Sequence, residues 1–224
     1  LNETDSPDEY ALALRSLSRN PETPEKRSQA LEKFKQLTAR TEWMAQPSVG
    51  ALEAFDIAVN LEATELVPDL ATMTNQKENQ AIAHASFLTL DRLAQRNPEE
   101  VSQLLSSNSN LLSDRPLARA GILSRIPATE ANRPQLESYL QSDQISHQEK
   151  NHFLSLYPNA NHFVSNNLLT KSETPDGATQ TRTDLEALKW IRELKEDERF
   201  HDLRPDIEKA ERRLLGFLQQ RSGE

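Results

Sequence analysis

Apolar side chains return every three or four residues along most of this chain, and the stretches between them are short and polar. That spacing places one stripe on each of a succession of amphipathic helices. A first helix is predicted over about Asp8 to Arg19, with Tyr10, Leu14 and Leu17 on one face, ended by Asn20-Pro21. Thr23-Pro24-Glu25 then opens the next: the threonine caps, the proline fits the first turn, and the glutamate faces the positive end of the helix dipole. Ala30, Leu31, Phe34 and Leu37 form its stripe.

From residue 47 onward the pattern recurs as a helix, a short break, a shorter helix and a polar loop. Pro47-Ser48 opens a helix with Leu52, Phe55, Ala58 and Val59, answered by a segment with Leu66, Val67, Leu70 and Met73. After Thr74 to Asn79 comes a helix from Gln80 to Arg96, carrying Ile82, Ala85, Leu88 or Phe87, Leu90 and Leu93. Asn97-Pro98-Glu99-Glu100 starts its partner, with Val101, Leu104 and Leu105, before a polar loop over Ser106 to Asn110. Asp114 to Ile126 (Leu117, Ala120, Leu123) pairs with Thr129 to Leu140 (Leu136, Tyr139, Leu140), and His147 to Tyr157 with Asn161 to Leu169.

Val67, Val101, Leu136 and Phe163 begin the inward faces of the second helices, at spacings of 34, 35 and a shorter 27 residues. A period of this size marks stacked helical hairpins, because one hairpin cannot bury its own apolar face. The segments Ala63 to Leu70 and Leu90 to Val101 resemble the HEAT-like helical-repeat family, with the resemblance covering about residues 47–170. It implies an all-α fold: a right-handed α-solenoid of antiparallel helix hairpins, with extra N- and C-terminal helices. The expected organisation is a helical-repeat domain over 1–170, with N-terminal helices in 8–46 and hairpins in 47–170. A flexible loop over 171–183 and a C-terminal helical cap over 184–224 complete it. In that cap Asp184 starts a helix with Leu185, Leu188, Ile191 and Leu194, and Asp206 to Gln220 forms the last one.

Composition supports helices and removes other folds. The 224 residues hold only five glycines, against roughly sixteen at average usage of about 7%. Hairpin turns and nucleotide-binding loops consume glycine; helix-to-helix connections do not. Aromatics are 5% of the chain, so Leu, Ala, Ile and Val must build the core. A net charge of −9 disfavours nonspecific contact with nucleic acid or anionic membrane. With no cysteine there are no disulfides or thiolate sites. No apolar run approaches the ~20 residues of a membrane span. The polar opening from Leu1 to Asp8 has the character of a chain start left by signal-peptide removal, which favours export, to a periplasm or the exterior, over the cytoplasm.

Candidate chemistry is sparse. His147, His152 and His162 lie close in sequence, but the five-residue step between the first two points them to different helix faces, unlike a zinc pair. Glu99/Glu100 and Glu196/Asp197/Glu198 sit at helix starts or in charged runs, where dipole compensation and solvation explain them. From Lys189-Trp190 to Arg212-Arg213 the acids nearly cancel the bases, against a nucleic-acid face. Trp43 and Met44 fit core plugs between helices better than an exposed anchor. No phosphate loop, nucleophile elbow or zinc-protease helix motif occurs. The reading assigns no catalytic, cofactor-binding or metal residue and expects no cofactor. It points to a noncatalytic protein- or peptide-binding scaffold. A helical enzyme or small-ligand binder, with a pocket between the repeats and the C-terminal helices, is the alternative. An accessory module of a longer protein is another.

Overall fold

The computed structural model describes residues 6–18, 23–108, 110–158 and 177–222, and every regular element among them is helical. The chain divides into two units, one from 1–104 with 110–114 and the other from 105–109 with 115–224. This division falls inside a helix, Pro98–Ser107. The proposed helix over Asn161 to Leu169, and residues 170–176 of the expected loop, lie outside the described residues.

The first unit contains α1 (Pro7–Ser18), α2 (Pro24–Ala39), a single turn α3 (Thr41–Ala45), α4 (Val49–Asn60), a 3-10 turn (Thr64–Leu66), α5 (Val67–Met73) and α6 (Gln80–Arg96). Most of α7 (Pro98–Ser107) also belongs to it. Helix starts follow local chemistry. Thr23, Ser48 and Asn79 accept hydrogen bonds from the N–H groups of Lys26, Ala51 and Ile82, each satisfying a donor that the first turn leaves open. Ala30, Leu31, Phe34 and Leu37 are all buried, and Phe34 meets Phe55 edge-on at 5.4 Å.

Helix α1 packs on α4, and α4 on α6; α5 also packs on α6. The α1–α4 approach is close because the facing residues are small. A Cβ on Gly50 would lie 2.6 Å from Asp8 Oδ1 and 3.3 Å from both Asp8 Cα and Ala11 Cβ. Gly50→Val is therefore expected to push the helices apart and destabilise by about 1–3 kcal/mol, the usual range for overpacking. A denaturant midpoint unchanged from wild type would contradict the tight crossing.

Polar bonds across this unit recur at a nearly constant distance along the chain. Arg15 pairs with Glu53, Arg27 with Glu65, and Lys35 with Asp69. Thr64 donates to Glu100, Asn79 to Met44 O, and Thr89 to Phe55 O. Arg92 donates to Asp56 (2.5 Å), and Arg96 to Val59 O (3.4 Å). Every one of these contacts joins residues 34 to 38 apart.

The end of α4 carries a local cost. The N–H of Glu62 bonds to Val59 O and that of Ala63 to Ala58 O, both at 3.0 Å. This Schellman closure needs a left-handed residue, normally glycine, at its turn. Glu62 fills it at φ 50°. Relieving the Cβ strain by Glu62→Gly should stabilise by about 1 kcal/mol, read as a rise in Tm; an unchanged or lower Tm would count against strain there.

In the second unit lie α8 (Pro116–Leu123), α9 (Arg133–Gln141), α10 (His147–Leu156), α11 (Gly177–Glu196), a 3-10 segment (Glu198–Leu203) and α12 (Arg204–Ser222). Helix α10 packs on α8 and α12, and α11 on α12. The first helix of this unit is shorter than the pattern suggests, because residues 124–126 turn before Pro127. Leu117, read as inward, is 45% exposed, while Arg119 is buried in its place. Residues 177–183, expected in a flexible loop, are helical, so Asp184 lies inside α11 and is buried rather than capping its start. Leu185 is 53% exposed, and Trp190 is fully buried.

Glu211 ties the last two helices together, accepting from Arg192 Nε and Lys195 Nζ at 2.8 Å each. The hydrogen bonds from Lys195 and then Arg192 hold its carboxyl below the usual carboxylate range. A carboxyl lowered on folding stabilises above its unfolded value, near pH ~4.3, and this contribution is lost as pH falls through the folded value. Glu211→Gln should thus destabilise at pH 7 and match wild type in strong acid. Denaturation at both pH values tests this, and a gap that persists at low pH would contradict it.

Candidate functional site

The polar centre of the second unit is a buried ion pair. Ser146 caps α10 by accepting from Glu149 N–H, which sets Glu149 in the first turn facing α8. There its carboxylate takes Arg119 Nε on Oε1 at 2.7 Å and Nη2 on Oε2 at 3.0 Å. Tyr139 of α9 donates to the same Oε1 at 3.0 Å. Both charged side chains are nearly sealed from solvent. Burial and then the Glu149 charge push the Tyr139 hydroxyl well above its ordinary range, so it stays a neutral donor. The fork geometry satisfies both carboxylate oxygens and makes this a structural lock.

Against it stands an aromatic cluster. Phe153 lies 5.5 Å from Tyr139 and 5.2 Å from Tyr157, and Tyr157 is 5.0 Å from Trp190. Trp190 Nε1 donates to Glu137 Oε1, whose other oxygen accepts from Arg199. Arg213 caps the end of α10 by donating to the carbonyls of Ser155 and Tyr157. Burial pushes its guanidinium down from the usual range, and Asp184 opposes this. Asp206 joins α10 to α12, accepting from Asn151 at 2.7 Å and Lys209 at 3.1 Å, with His147 Nε2 3.2 Å away.

Among the described residues, each unit has a concavity open to a ligand. A groove of about 700 Å³ runs along α11, lined by Leu185, Leu188, Lys189, Arg192, Glu193, Glu196 and Asp197. Most of its charges have internal partners: Glu193 takes Arg133 at 2.7 Å and Lys189 at 3.9 Å, Arg192 goes to Glu211, and Asp197 to Arg199. The other, about 470 Å³ in the first unit, lies among Thr38, Met44, Ala45 and residues 75–79. Two of its polar side chains are engaged, while the buried Asn75 Oδ1 has no hydrogen-bond partner. Asn79 donates to the Met44 and Ala45 carbonyls and caps α6, and the Thr38 hydroxyl bonds to the Phe34 and Lys35 carbonyls.

Of the residues weighed from sequence, Lys189, Arg192, Glu196 and Asp197 line the α11 groove and Met44 lines the concavity of the first unit. His147 is exposed beside Asp206, His152 is half-buried, and His162 lies outside the described residues. Among the described residues no three His, Cys, Asp or Glu side chains gather as metal ligands. Glu100 accepts from Thr64, and Glu99 is exposed in the first turn of α7. Met44 is buried, as expected of a plug; Trp43 is half-buried under the Arg40 guanidinium, 4.1 Å from its ring. Also among the described residues, no helix is long and apolar enough to cross a membrane. Sequence reading missed Arg119, Glu149 and Trp190; the Ser146–Glu149 capping spacing was the available signal for Glu149.

Comparison with known proteins adds no relative: no family model, curated protein or solved structure matches the chain.

Proposed function

We propose that the chain is a noncatalytic scaffold that holds another protein or a peptide on a helical-repeat surface, with α1 to α7 forming a short HEAT-like stack of antiparallel hairpins. The observation that carries this reading is the recurrence of cross-helix bonds at 34 to 38 residues. In a stack of repeats, each residue meets its counterpart one repeat away, so contacts cluster at the repeat length. The order of packing, α1 on α4 and α4 on α6, fits the first helices of successive hairpins. Lys35–Asp69 joins the second helices α2 and α5 in the same way, and the 3-10 turn before α5 bonds to α2 through Arg27–Glu65 and to α7 through Thr64–Glu100. Solenoids of this kind present an extended surface suited to chains rather than small molecules.

Peptide display against the intact chain tests the proposal. Enrichment of one sequence motif whose synthetic peptide binds saturably supports it. Absence of any enriched motif, or a large thermal stabilisation by a metal, sugar or nucleotide, overturns it and favours the small-ligand alternative.

A further inference from the structure

We draw no further inference here: the strongest candidate, the groove along α11 floored by Leu185 and Leu188, has most of its charged rim paired within the fold and nothing in the structure shows what covers it.

Discussion

Arg119→Ala should destabilise the protein by about 3–5 kcal/mol, because it strands the Glu149 carboxylate in a dry interior. The loss is far larger than the bond's net worth. Two charges that bond each other replace the water they gave up; one alone does not. Glu149→Ala should cost a similar amount, leaving the guanidinium and the Tyr139 hydroxyl without their acceptor. Removing all three polar groups together, as Arg119→Met, Tyr139→Phe and Glu149→Leu, should recover most of the loss, since apolar replacements of similar volume often equal a buried pair. Chemical denaturation of the single and triple variants decides the matter. A single variant within about 1 kcal/mol of wild type, on the scale set by exposed pairs, would mean that water reaches the pair.

Trp190→Ala is the second large effect, about 3–5 kcal/mol by the usual cost of emptying a buried aromatic site. The indole is fully buried and touches both Tyr157 and Phe153, at ring separations of 5.0 and 6.4 Å. Truncation removes contacts that the remaining rings cannot refill. Tyr157→Phe provides the control in the same cluster. The Tyr157 hydroxyl, beside the Ala128 backbone, makes no hydrogen bond of normal geometry, and burial pushes it far above its ordinary range. Its deletion should leave stability nearly unchanged or slightly raised. Equal losses in the two variants, measured by thermal melts followed in the near-ultraviolet, would show that the hydroxyl has a partner and that the cluster is held by polarity.

Local signals in the sequence were readable wherever a neighbour three residues away decides the structure. Thr23, Ser48 and Asn79 cap because their own oxygens reach the next turn. The stripe of α2 is inward because four apolar residues share a face and most of the others are charged or polar. What escaped was set by distant chain segments. Arg119 looks like a surface residue until Glu149, 30 residues away, supplies its partner. Leu117 and Leu185 have helical spacing, yet the stripe that packs is narrower than the apolar pattern, so both face solvent. Trp190 sits in a charged run whose acids and bases lie on the outer face, with the indole turned in. In α6 the buried face takes Ser86, Thr89 and Asp91, while Ala85, Phe87 and Leu88 are only half-buried. Thr89 earns its place by donating to the Ala85 carbonyl one turn back. No candidate site was assigned from sequence, and the two concavities arise from packing that no motif encodes.

The small side chains of the first unit carry a consequence for how this protein can vary. Ala11, Ala51, Ala54, Ala58, Ala63, Ala71, Ala83 and Ala94 are all buried, and Gly50 lies against α1. Helices seated this closely have little volume left to lose and none to gain. Substitutions at these positions should divide by size rather than by polarity. In a saturation scan, serine or glycine would persist at sites where leucine and phenylalanine vanish, and the seams between the helices would appear as a ceiling on side-chain bulk.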